Sequence, residues 1–167
     1  MDIGKICSFC PRDRTAVMAD TLKPEARSRN MAAIKSKDTT PEVYFRKKLF
    51  ADGFRYRKNI NSIYGHPDVY LPKYRTAVFI NGCFWHRHRN CKYAYTPKSR
   101  MDFWNNKFSA NVHRDREVYE RLKADNIKCL VVWECTIRKM KKSAEYEKDI
   151  IIQAEDFMKD NDLYHEI

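Results

Sequence analysis

The sequence predicts one α/β domain with the element order helix, three strands, helix, strand, helix. Three observations lead there. Apolar residues recur every three or four positions near 38–53, 101–124 and 143–159, the period of helices with one buried side. Short β-branched and aromatic runs lie between them, of which Ala77-Val-Phe-Ile80 and Ile127-Lys-Cys-Leu-Val-Val-Trp133 are the strongest strands. The 167 residues, 43% hydrophobic, suffice for one substantial core and are few for two.

Residues 1–20 lack any apolar period and are expected to form a mobile tail ahead of a single domain over 21–167. Cys7-Ser-Phe-Cys10 has the gap of half a zinc site, but no nearby second pair completes it. Residues 21–37 can form a short helix carrying Arg27, Arg29 and Lys35, either a solvated basic face or a set of phosphate contacts. A firmer helix starts at Asp38-Thr-Thr-Pro-Glu42. Thr39 and Glu42 fit a capping box, and Pro41 suits the first turn. Val43, Phe45, Leu49 and Phe50 supply its core side, and Gly53 ends it. Glu42 reads first as a cap.

Three neighbouring strands follow: Phe54–Arg57, Tyr64–Leu71 and Arg75–Ile80, with a hairpin turn at Pro72-Lys73. Asp68 opens the second, as a turn residue or as a placed metal ligand, with spacing favouring the turn. From Met101 to Ala124, the residues Met101, Trp104, Phe108, Val112, Tyr119 and Leu122 mark one helix face. Asp115 falls on that stripe, where a carboxylate needs a partner. An arginine such as Arg114, Arg116 or Arg121 could serve, or the side chain could point into a site. Asn126 stops this helix, a buried strand runs to Trp133, and Glu134-Cys135 closes it. After the basic stretch 136–142, Ser143 caps a last helix to about Lys159.

Charge narrows the function. There are 33 basic against 22 acidic residues, a net charge of +11. An excess of that size points to nucleic acid. No apolar run approaches the roughly 20 residues that span a bilayer, and no signal peptide is expected. The cysteines Cys7, Cys10, Cys83, Cys91, Cys129 and Cys135 therefore read as thiols or metal ligands in a reducing cytoplasm.

The chemistry concentrates in Gly82-Cys-Phe-Trp-His-Arg-His-Arg-Asn-Cys91. Cys83, His88 and Cys91 can provide three of the four ligands of a structural zinc site. If the strands before the loop and before Cys135 are parallel neighbours, Cys135 arrives as the fourth. That leaves His86, a surface residue, a ligand or a base, with Asp68 and Glu42 able to hold Mg²⁺ and Asp115 behind it. Phe84 and Trp85 suit stacking on bases, and Trp104 fits that group as well as it fits the core.

Read together, Arg27-Ser-Arg-Asn-Met-Ala-Ala-Ile34, Asp38-Thr39 with Glu42, Gly65-His-Pro-Asp68 and Val78-Phe-Ile-Asn-Gly-Cys-Phe-Trp-His86 resemble the very-short-patch repair (Vsr) DNA mismatch endonucleases. Phe103-Trp104, Asn111-Val-His-Arg-Asp115 and Val132-Trp-Glu-Cys135 continue the likeness, which covers about residues 25–140. It implies a restriction-endonuclease-like αβββαβ fold, a mixed central sheet flanked by helices. It also implies Mg²⁺-dependent nicking of duplex DNA 5′ to the thymine of a T:G mismatch, the product of 5-methylcytosine deamination. Asp68 would be the central Mg²⁺ ligand of a two-ion site, helped by the backbone at Ile80, with His86 as general base, Asp115 as its partner and Glu42 in support. Cys83, His88, Cys91 and Cys135 would hold one structural Zn²⁺. Phe84, Trp85 and Trp104 would form a wedge entering the DNA. The expected protein is a cytoplasmic, nucleoid-associated monomer whose partners are mismatched double-stranded DNA and other repair proteins.

The sequence departs from the family pattern at two points. Asn81 stands where that pattern has a second active-site histidine, and asparagine hydrogen-bonds but shuttles no proton near neutral pH. The Cys83-to-Cys91 interval is one residue longer, with Arg87, Arg89 and Asn90 in place of histidines, which makes His88 the third zinc ligand. Two other classes stay open: a same-fold nicking or restriction enzyme with a different target, and a zinc-stabilised DNA-binding module without catalysis.

Overall fold

The computed structural model of the chain describes residues 37–167, together with Ala26 and Arg29, which are both helical. Arg27, Lys35, the pair Cys7 and Cys10, and the stretch 1–20 lie outside the described residues; Arg29 is exposed. The elements run α1 (Thr40–Ala51), β1 (Arg57–Lys58), β2 (Val69–Leu71), a 3-10 turn (Pro72–Tyr74), β3 (Thr76–Asn81), α2 (Met101–Ala124), β4 (Lys128–Trp133), α3 (Glu134–Met140), α4 (Ala144–Lys159) and β5 (Tyr164–Glu166).

The five strands form one mixed sheet in the order β1-β2-β3-β4-β5. The first two pairings are antiparallel and the last two parallel. Val78 lies opposite Leu130 and Asn81 opposite Trp133, so β3 and β4 end side by side. All six residues of β4 are buried, as a strand covered on both faces requires. Leu130 and Val132 pack with Phe45, Leu49, Ile137, Met140, Ile151 and Phe157, the core under α1, α3 and α4. Cys129, Val131 and Trp133 pack with Val118 and Leu122 of α2 on the other face.

Several sequence expectations are corrected. Glu134-Cys135 does not merely close β4; the two residues begin α3, whose buried side is Thr136, Ile137 and Met140. A fifth strand follows the last helix. Its base is fixed by Lys128, whose buried ammonium donates to the Phe157 and Asp160 carbonyls at the end of α4. The second strand begins only at Val69, because Gly65 and His66 take the left-handed conformation and break any extended run before it. Phe50 is exposed under the Arg55 guanidinium, since the buried positions of α1 are 42, 45, 46 and 49. Met101 and Val112 are likewise exposed, and Phe108, Asn111, Val118 and Leu122 make the buried side of α2.

The capping box forms only in part. The Thr39 hydroxyl donates to Glu42 Oε1 at 2.6 Å and accepts no helix N–H. Gly53 does end α1, with a φ of 86°.

Candidate active site and metal centre

Asp68 sits just ahead of β2, where antiparallel pairing with β3 brings it beside Ile80. Its Oδ2 accepts the Ile80 amide hydrogen at 2.7 Å. Burial pushes its carboxyl up to about 6, and the nearby Glu42 charge adds to that rise. The Ile80 hydrogen bond and the charges of Arg46 and His86 oppose it. Glu42 reaches the same corner from α1. It is 4% exposed, and its Oε2 is buried with no hydrogen-bond partner. An ionised carboxylate oxygen left bare in a core is expensive unless a cation meets it. Two carboxylates from different elements, one with an unpartnered oxygen, fit a hard divalent cation.

Arg46, one turn along α1 and 5% exposed, lies under this corner and pairs with Asp38. Its second terminal nitrogen is buried without a partner. Nothing local in the sequence marks Arg46; only its four-residue spacing from Glu42 puts it on the buried side.

Across from the carboxylates, the loop after β3 is wound by turn bonds from His86 N–H to the Gly82 carbonyl and from His88 N–H to the Cys83 carbonyl, both 3.1 Å. Between the two histidines, Arg87 takes a left-handed backbone with φ 54°. The imidazoles then serve different partners. His86 Nδ1 lies 2.7 Å from Asp115 Oδ2, so α2 supplies the aspartate, and among the described residues no arginine pairs with it. A carboxylate oxygen accepts in such a bond, so the hydrogen between the two groups is carried on Nδ1, and Nε2 is the ring nitrogen that Asp115 does not engage. Asn81 is buried, and its Nδ2 donates to the Tyr119 hydroxyl at 3.2 Å. Burial and the charge of Asp115 hold Tyr119 well above the usual phenol range, so it stays neutral. The period of α2 predicts Tyr119 as a core residue; its bond to Asn81 depends on the fold.

His88 turns the other way and stacks flat on Trp133, centroids 4.1 Å apart and planes within 4°. Its Nδ1 is 3.6 Å from Cys83 Sγ and 3.3 Å from Cys135 Sγ. The ligand atoms of Cys83, His88, Cys91 and Cys135 all lie within 4.8 Å of one another. Zinc bonds of about 2.3 Å to sulfur and 2.0 Å to nitrogen would set tetrahedral S···N edges of roughly 3.5 Å, so this set can hold a metal ion. Burial pushes the Cys83 thiol up to about 12 and raises Cys135. Burial would raise Cys91 too, but the Tyr93 amide and the neighbouring thiols bring it below the usual value. The charge on Cys91 in turn opposes ionisation of Cys135, and a cation among the thiols would remove that opposition. The parallel β3–β4 pairing delivers Cys135 to Cys83, as the topology requires.

Phe84 sits in an aromatic cluster, its ring centroid between 5.0 and 5.4 Å from those of Trp85, Tyr95, Trp104 and Phe108. Trp85 and Trp104 are half-buried, and Trp104 stacks on Phe108 at 5.7 Å. Phe103 and Tyr95 extend the cluster to solvent. Asn111 Nδ2 donates to the Trp85 carbonyl at 3.0 Å and ties the loop to α2.

Carboxylates, His86–Asp115, thiols and aromatics thus converge on the loop after β3. A family model described as DNA mismatch endonuclease Vsr matches residues 19–92. The type II nicking enzyme V.NmeAIP of Neisseria meningitidis serogroup A is 46% identical over 121 residues, 72% of this chain and 86% of that protein. The type II nicking enzyme V.XorIIP of Xanthomonas oryzae pv. oryzae is 39% identical over 120 residues, 72% and 88% of the two chains. The DNA mismatch endonuclease Vsr of Escherichia coli K12 is 39% identical over 121 residues, 72% and 77% of the two chains. The chain belongs to the Vsr endonuclease family.

Proposed function

We propose that this Vsr-family endonuclease nicks duplex DNA 5′ to the thymine of a T:G mismatch left by deamination of 5-methylcytosine, using Mg²⁺. The observation that carries the reading is the pairing of His86 with Asp115 at 2.7 Å beside a carboxylate corner whose Glu42 oxygen lacks a partner. Relatives named as a mismatch endonuclease and as nicking enzymes support it.

Asp68, Glu42 and the Ile80 backbone would hold Mg²⁺, taken as two ions. Bound there, it would supply positive charge to the phosphoryl group and make the attacking water more acidic. His86 takes the proton of that water at Nε2, while Asp115 fixes the ring and stabilises the imidazolium that forms. Asn81, which cannot carry a proton, holds Tyr119 behind this pair. Phe84, Trp85 and Trp104 would enter the stack at the mismatch, where unstacking is cheapest. Arg27, Arg29 and Lys35 would grip phosphates. Cys83, His88, Cys91 and Cys135 would hold one structural Zn²⁺. Among the described residues, no helix is long and apolar enough to cross a membrane. We take the enzyme to act as a monomer at the nucleoid, alongside other repair proteins.

A panel of end-labelled duplexes tests the reading. A T:G duplex should be nicked 5′ to the thymine with Mg²⁺ and left intact with chelator, and its T:A counterpart should survive both. Equal cutting of the two would transfer the activity to another target.

A further inference from the structure

A cleft of about 470 Å³ opens between the loop after β3 and the outer side of α2, and the proposed reaction makes no use of it. Phe108 and Val112 form its apolar part. Its polar lining is Arg87, Asn105, Ser109, His113 and Arg116, with no carboxylate among them. Asn105, Ser109, Val112 and Arg116 recur at intervals of three and four, so they share one face of α2. Arg87 is held in place, and among the described residues no acid pairs with it. Its guanidinium donates to the Tyr95 carbonyl and the Thr96 hydroxyl, each at 3.0 Å, and lies 4.4 Å over the Phe108 ring. All three partners are uncharged. His113 Nδ1 lies 3.6 Å from Glu117 Oε2 in an exposed pair.

Two fixed or available cations with neutral donors between them suit an anion with several acceptor oxygens. The cleft's position says which anion. Val112 and Arg116 also line a neighbouring cleft of about 400 Å³ that contains His86 and Asp115. That second cleft also carries Asp115, Glu120 and Lys123, so the part of the surface lined by cations without a carboxylate is the stretch from Arg87 to Arg116. This stretch lies between the aromatic cluster and His86.

We propose that the groove binds a phosphodiester of the substrate DNA next to the one attacked at His86. Arg87 and Arg116 supply the charge, and Asn105 and Ser109 supply neutral hydrogen bonds. The proposal rests on the DNA-nicking reading. It is tested by equilibrium binding of matched and T:G duplexes over a salt series. Each phosphate neutralised contributes about 0.9 to the slope of log affinity against log salt on duplex DNA. Arg116→Gln, a change at an exposed side chain, should lower that slope by about 0.9 and weaken both duplexes equally, on the order of fivefold. Ser109→Asp, which leaves Arg116 in place and adds an anion to the groove, should also weaken both. Arg114→Gln, exposed and lining neither cleft, should keep the native slope. An unchanged slope in Arg116→Gln, or a loss confined to the mismatched duplex, overturns the groove. Native protein that binds neither duplex overturns the nuclease reading instead.

Discussion

The Cys83 corner and the Asp68 corner flank the same loop, yet they are built on opposite plans. At the first, four ligand atoms converge within 4.8 Å from a loop and from the start of α3, anchored by two parallel strands. At the second, carboxylates from α1 and from the approach to β2 come together, and one oxygen finds no partner. Burial shifts groups upward at both places, but the thiols can all be satisfied by a single ion. The carboxylates remain short of neighbours. A closed donor set can stabilise a fold, whereas an open pair of buried carboxylates costs stability, a cost that the proposed metal-dependent chemistry would account for.

The steepest loss comes from opening the closed corner. Cys135→Ser should lose bound metal and destabilise the fold by on the order of 3–5 kcal/mol, because ligand binding there is coupled to folding. Metal analysis together with thermal melting checks it, and full metal content in the variant would remove Cys135 from the set.

Asp68→Asn probes the open corner, where the outcome should be reversed. Nicking should fall by at least about 10³-fold, while the metal-free protein gains stability. The folded carboxyl titrates near 6 against an ordinary 3.8. The native state therefore prefers the proton, and ionisation above pH 6 counts against folding. In chelator at pH 8 the variant should be more stable by about 1–3 kcal/mol. That advantage should shrink as pH falls through 6 towards 4. Denaturant melts at pH 8 and pH 4 measure it; a variant weaker than wild type at pH 8 would contradict the account of Asp68.

Asp115→Asn sharpens the comparison from the histidine side. It should cut kcat by about 10²–10⁴ by releasing the His86 ring, with little change in metal content at the thiols. Parallel rate and metal measurements separate those effects. The smallest change expected is at Gly65, which has φ 83° and where a Cβ would lie 2.4 Å from Val118. Gly65→Ala should cost about 1–3 kcal/mol by pushing the Asp68 loop off α2, read as a lower melting midpoint.

Much of this architecture was legible because its signals are local. The spacing of Cys83, His88 and Cys91, the apolar run into Asn81 and the period of α2 all sit within short windows. Cys135 needed one topological assumption, the parallel pairing of β3 with β4. What escaped depends on distance. Residues 134–140 carry no cap or strong stripe, and their helix is fixed by packing Ile137 and Met140 under α1 and α4. Strand β5 is three residues long and exists through its pairing with β4 and the bond from Trp133 Nε1 to Glu166. Arg46 and Tyr119 look like ordinary helix residues until the sheet brings Asp68 and Asn81 beside them. Pattern locates a buried side, but not which polar groups share it.

One measurement addresses the contrast between the two corners most directly: metal content and nicking activity after exhaustive dialysis against EDTA under native conditions. The closed corner should retain one zinc per chain and the fold should persist, while nicking of a T:G duplex disappears and returns on adding Mg²⁺ alone. A folded protein stripped of zinc, or activity that returns only with zinc, would contradict the division of labour between Cys83 and Asp68.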